Sequence, residues 1–124
     1  MNTPWVNDPV NSPNHYTRSH PGMECIELTA DSGFCLGNCL KYLWRYRSKG
    51  RPVEDLEKAR WYLCRVIDRC ETIAWTRQQR DILTALVADS IGREARIWAK
   101  LKQGYPDSAL VCLDELIELE KDKQ

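Results

Sequence analysis

Residues 49 to 52 read "KGRP", and this break between two amphipathic stretches limits the folds open to the chain more than any other feature. Before it, Leu36, Leu40 and Leu43 recur at i, i+4 and i+7, the spacing that lines one side of a helix. After it, Leu56, Ala59, Leu63, Val66, Ile67 and Cys70 mark one face of a second helix. Gly50 supplies a helix stop, Pro52 suits the first turn of the next helix, and Glu54, Asp55 and Glu57 lie against its positive end. So short a connection makes the two helices antiparallel neighbours, an αα-hairpin over about 34–49 and 53–71.

The rest of the chain reads as more helix around that hairpin. Residues 1–22 carry Pro4, Pro9, Pro13 and Pro21, which forbid a long helix and favour an extended arm with turns. Next comes a short first helix with Met23, Ile26 and Ala30 at helical spacing. Thr76 and Gln79 form a capping-box pattern that opens a segment through Ile82, Leu83, Leu86, Val87, Ile91, Trp98 and Leu101, which Gly92 either breaks or weakens. Pro106 starts a last helix with Leu110, Leu113, Leu116 and Ile117 inward. No segment has a strand period. With 124 residues, 43% hydrophobic and 29% charged, the expectation is one all-α domain, a small helical bundle. Its parts are the arm (1–22), a core (23–72) and a helical cap or oligomerisation region (73–124).

Composition excludes several classes. No apolar run approaches the ~18–20 residues of a bilayer span, and "MNTPWVNDPVNSPNHY" has neither a basic nor an apolar leader region, so a membrane or secreted protein is not expected. The six cysteines include no CxxC pair and fall mostly inside helical patterns, which points to reduced, packed thiols in a reducing cytoplasm and away from a zinc site. Net charge is zero, without the basic excess of a duplex-DNA binder. The charge is nevertheless split: residues 38–69 hold nine Lys and Arg against four Asp and Glu, and residues 104–124 hold six acids against two lysines.

Within that split, Asn38, Lys41, Arg45 and Lys49 fall in an arc of roughly 80°, nearly opposite the leucine face. Tyr42 lies in or beside this stripe and Tyr46 flanks it. No acid stands at i±4 to neutralise it, so its relief must come from an anion or another helix. Across the hairpin Asp55, Lys58 and Tyr62 form a second polar strip, with Arg65 and Arg69 beyond. Guanidinium, ammonium and aromatic groups together suit a nucleotide, with cations on phosphate and a ring on the base; a solvated helix face has the same pattern. Asp55 can pair with a stripe cation or hold Mg²⁺. Glu24 and Glu27, one turn apart, can ligate Mg²⁺ beside a polyphosphate or serve as a surface acidic pair. No Walker-type loop, GxGxxG or GxSxG is present.

Four stretches in order, "VNSPNHYT", "ECIE", "GFCLGNCLKYLWRYRSKG" and "EDLEKARWYL", resemble the small phage-encoded family, formerly of unknown function, that includes the nucleotide kinase of the short-tailed coliphages. The resemblance covers about residues 10–67. It implies a phage protein of the host bacterial cytoplasm that phosphorylates deoxynucleoside monophosphates of the dGMP and dTMP class without a P-loop. Matched block by block, it implies roles for His15 and Tyr16, for Glu24 and Glu27, for Asn38, Lys41, Tyr42, Arg45 and Lys49, and for Asp55, Lys58 and Tyr62. On this reading, with ATP and Mg²⁺ as co-substrate and metal, Lys41, Arg45 and Lys49 neutralise the phosphoryl group, Glu24, Glu27 or Asp55 hold the metal, and Tyr16 or Tyr42 meets a base. Room for two nucleotides argues for a homo-oligomer. Two other readings stand beside it: an all-α, MazG-like nucleoside triphosphate pyrophosphatase, with Glu54 and Glu57 as a poorly placed second carboxylate pair, and a non-catalytic effector that binds a nucleotide or a host protein, for which Trp61 and Trp75 are interface candidates.

Overall fold

Hydrophobic stripes at helical period leave each helix with one face that only another helix can cover. A computed structural model of the chain, which describes residues 23–48 and 50–124, resolves this demand as a closed ring of helices. In chain order they are α1 (Cys25–Thr29), α2 (Phe34–Arg45), α3 (Pro52–Asp68), α4 (Arg77–Asp89), α5 (Gly92–Gln103) and α6 (Pro106–Asp122). No strand occurs among the described residues. Around the ring α2 packs on α3, α3 on α6, α6 on α5, α5 on α4, α4 on α1, and α1 returns to α2. One core results, with Leu28, Leu40, Leu56, Leu63, Leu83, Leu86, Leu101 and Leu113 fully buried together with Trp44 and Trp98.

The expected hairpin is present. Gly50 adopts φ +76°, and Pro52 opens α3. A second turn of the same kind joins α5 to α6: Gly104 is left-handed at φ +81°, the Tyr105 N–H donates to Lys100 O, and Pro106 follows. The start of α2 has no side-chain cap of its own. Instead Glu71, beyond the end of α3, accepts the Leu36 N–H at 3.4 Å, so the hairpin's far end supplies an anion to the positive end of α2. The Thr76–Gln79 capping box forms in both directions, at 2.9 and 3.1 Å. Gln79 is itself buried, and its Nε2 donates to Leu28 O at 2.8 Å and to Ser32 Oγ at 3.1 Å, tying α4 to the end of α1.

Several sequence expectations change. The long third segment breaks at Ser90 and Ile91, both extended, Gly92 at φ +61° opens the next helix, and Ile91, expected inward, is left exposed. The inner face of α1 is Cys25 and Leu28, whereas Ile26 is exposed, because five residues present a single turn and the tie to α4 selects which side of it faces in. Cys70 lies past the end of α3 in the left-handed region, φ +51°, and is exposed. Trp75, expected exposed, is half-buried and donates its indole N–H to Leu101 O at 3.0 Å. Helix α2 ends at Arg45, four residues short of the expected limit, and Tyr46, expected to flank the stripe, turns into the core. The residues of the arm, including His15 and Tyr16, and Lys49 lie outside the described residues.

Candidate functional site

Two polar strips on antiparallel neighbouring helices must meet along the hairpin seam, and they do. The Tyr42 and Tyr62 rings stack across α2 and α3 at 6.1 Å between centroids, 12° from parallel. Three cations gather on Tyr42: Lys41 Nζ at 4.4 Å from the ring centre, the Arg45 guanidinium at 4.7 Å and Lys58 Nζ at 5.5 Å. Beneath them Arg45 and Asp55 are both buried, at 9% and 4% exposure, and their closest approach is Arg45 Nε to Asp55 Oδ2 at 3.6 Å. This is an ion pair beyond hydrogen-bond length. Asp55 Oδ2 accepts no hydrogen bond among the described residues. A buried carboxylate oxygen left so is costly for stability, and such atoms concentrate where function demands them.

The first turn of α1 borders this cluster. Burial pushes the Cys25 thiol up to about 12, against the opposing pull of the Lys41 and Arg45 charges, which places both cations within electrostatic reach of α1. The neighbouring Glu27 uses Oε2 to accept the Glu24 backbone N–H at 3.1 Å, a helix-capping role. No group of three or more His, Cys, Asp or Glu placed to hold a metal ion occurs among the described residues. Asn38, expected in the stripe, donates its amide to Phe34 O at 2.9 Å, one turn back on its own helix. Lys58 is shared with Glu54, at 3.4 Å. The structure thus brings together Lys41, Tyr42, Arg45, Asp55, Lys58 and Tyr62, with Glu24 and Glu27 on the adjoining short helix.

Two features had no sequence signal strong enough to find them. Phe34 and Trp61 both meet Tyr62 edge-on, at 6.0 and 5.0 Å, and extend the aromatic row of the seam. Phe34 reads as an ordinary first helical residue, and Trp61 as an exposed interface candidate with no sign of its tie to Tyr62. The other is a polar knot at the C-terminal end of α2. The Tyr46 hydroxyl donates to Glu94 Oε1 at 2.6 Å, Arg47 Nε donates to both of these oxygens at 2.9 Å, and the Ser90 hydroxyl donates to Glu94 Oε2 at 3.2 Å. Burial, then the Glu94 carboxylate, raise the Tyr46 pKa above its ordinary value. Burial opposes the charge on Arg47, but Tyr46 and Glu94 outweigh it and raise the Arg47 pKa. Glu94 sits 48 residues from Tyr46 and looks, in the sequence, like a first-turn acid of α5.

Residues 10–64 match the model of a family described as a protein of unknown function, DUF3310. The match spans α1, α2 and most of α3, and stops before α4. No match was found among curated proteins, and none among solved structures. No helix among the described residues is long and apolar enough to cross a membrane.

Proposed function

We propose that this chain handles nucleotides at the α2–α3 seam, as a kinase that transfers the terminal phosphoryl group of ATP to a deoxynucleoside monophosphate of the dGMP or dTMP class. The observation that carries the reading is the convergence of Lys41, Arg45 and Lys58 on the stacked Tyr42 ring, over a buried Asp55 whose Oδ2 accepts no hydrogen bond among the described residues. A planar ring beside three cations offers a base and a phosphate their separate partners. Asp55 lies 3.6 Å from Arg45 Nε and orients the guanidinium, whose planar fork suits phosphate oxygens. In the reaction the bond from the γ-phosphorus to the β–γ bridging oxygen breaks and one to an acceptor phosphate oxygen forms, with ADP leaving. Negative charge spreads over the transferring group, and Lys41 and Arg45 stabilise it by position alone, with no covalent intermediate.

The metal is part of the substrate in this reading. Mg²⁺ arrives on the phosphates of ATP, and one or two carboxylates from Glu24, Glu27 and Asp55, of which Glu27 also caps α1 and Asp55 also faces Arg45, are its expected ligands. His15, Tyr16 and Lys49 remain expected contributors from outside the described residues. A homo-oligomer in a bacterial cytoplasm is part of the same proposal. The pyrophosphatase alternative needs a second carboxylate pair, and Glu54 is already shared between Arg51 and Lys58, each at 3.4 Å.

The deciding experiment incubates the purified protein with each deoxynucleoside monophosphate and triphosphate, ATP and Mg²⁺, and resolves the products. Deoxynucleoside diphosphate with ADP is the expected result. Monophosphate with pyrophosphate makes it a pyrophosphatase, and tight binding without turnover makes it an effector.

A further inference from the structure

Among the described residues Trp44, Tyr46 and Trp98 are each 1% exposed, and Tyr105, away from the seam, is 56% exposed. Phe34 and Trp61 are the contrast, at 76% and 58%. A single exposed ring needs no explanation. These two, however, flank one half-buried tyrosine, and both stand steeply to it, at 76° and 84°. The Arg65 guanidinium lies over the Trp61 ring at 5.4 Å, so the outer end of the row carries its own cation. The row therefore runs Tyr42, Tyr62, then Phe34 and Trp61, with Lys41, Arg45 and Lys58 at one end and Arg65 at the other.

A second copy of the chain is a poor occupant for this face. A two-fold contact lays a patch against itself, and here it would set these cations against their own copies. An anion that also has a flat ring meets the charge and the aromatics together. The inner end of the row already provides for one nucleotide. We infer that Phe34, Tyr62 and Trp61, with Arg65, form a second base-stacking subsite, which holds the purine of the nucleoside triphosphate donor while its phosphates point along the seam to Lys41 and Lys58. This rests on the kinase reading above and names the donor's place within it. The acceptor monophosphate then belongs to the Tyr42 end, and the two phosphate groups meet between the rings, where the cations are densest.

The test measures binding to the full chain by calorimetry with four probes: a non-hydrolysable ATP analogue, dGMP, inorganic tripolyphosphate and an oligothymidylate. The variants are Phe34→Ala with Trp61→Ala, and Trp61→Tyr alone. Both positions are exposed, and circular dichroism and melting confirm that the variants fold. The double variant is expected to weaken the ATP analogue by about 10-fold while dGMP and tripolyphosphate stay within about twofold, and Trp61→Tyr is expected to keep most of the affinity. An unchanged affinity for the ATP analogue overturns the subsite and leaves the kinase reading standing, provided dGMP still binds. An equal loss for tripolyphosphate overturns it too, because the substitution then acts on charge or fold. Oligothymidylate that displaces the ATP analogue and binds about 10-fold more tightly reassigns the row to single strands. Wild-type protein that binds neither nucleotide sinks both readings.

Discussion

Two arginine–carboxylate pairs sit two residues apart at the end of α2, and they are built in opposite ways. Arg47 and Glu94 are 2.8 Å apart, and Tyr46 and Ser90 supply Glu94 with two further donors. Arg45 and Asp55 are 3.6 Å apart, and Asp55 Oδ2 accepts no hydrogen bond among the described residues. Both carboxylates are buried. A saturated buried network rigidifies a fold, whereas an under-satisfied one costs stability and keeps bonding capacity in reserve. The Glu94 knot fastens the end of α2 to the C-terminal half, and the Asp55 pair lies on the side of the seam where Lys41 and Lys58 gather.

The largest effect that tests this contrast is on chemistry. Replacing the pair with Arg45→Met and Asp55→Leu should cut phosphoryl transfer by about 10²–10³-fold. The same variant should melt no lower than the wild type and can gain about 1–4 kcal/mol, since a buried pair is often replaceable by apolar groups of similar volume. A variant that unfolds while its residual activity per folded molecule is intact would make Asp55 a structural residue and erase the distinction.

At the knot the ledger reverses. Glu94→Ala leaves the Tyr46 hydroxyl without its acceptor and Arg47 without its anion, and chemical denaturation should report a loss of about 3 kcal/mol. Nucleotide affinity of the folded protein should stay within about twofold; a tenfold drop would mean the knot positions the site as well.

Alkaline pH offers a smaller, graded probe. Burial raises the Cys25 thiol from 9.0 to about 12 and, with Glu94, raises Tyr46 from its ordinary 10.0, so the folded state keeps protons the unfolded chain gives up. The stability these groups contribute is complete below pH 9 and should fall as pH rises toward 12. Melting curves should show that decline, and Tyr46→Phe should make it shallower. Melting that rises over this interval would contradict the burial of both groups.

The smallest effect belongs to the Arg60–Asp114 pair joining α3 to α6. At 2.6 Å it is shorter than either pair at the end of α2, yet both side chains are nearly half exposed. Arg60→Ala should cost about 0.5 kcal/mol, and salt should erase most of that. A larger cost would show that distance, more than burial and hydrogen bonding, ranks these pairs.

Much of the site was legible in the sequence because it lies on two helices joined by a recognisable turn. Given Gly50 and Pro52, helical period alone puts Lys41, Tyr42 and Arg45 on one strip and Asp55, Lys58 and Tyr62 on another, and antiparallel packing makes the strips meet. The same projection failed for Tyr46, because α2 stops at Arg45 and a constant angle per residue holds only inside a helix. It failed for Ile91 for the related reason that Gly92 begins a new axis. The inner face of α1 was misread because five residues carry too little period to orient themselves.

What the sequence by itself determined is local: where helices start and stop, which face of each is apolar, and that an unbalanced cationic strip runs along α2. Those properties follow from residues a few positions apart, whose geometry a helix sets in advance. Only the tertiary structure decided that Tyr46 turns inward to meet Glu94, that Glu71 caps α2, that Gln79 ties α4 to α1, and that Phe34 and Trp61 share Tyr62. Each of those contacts joins residues brought together by the closing of the helical ring, and their energies depend on burial that exists only once the ring has closed.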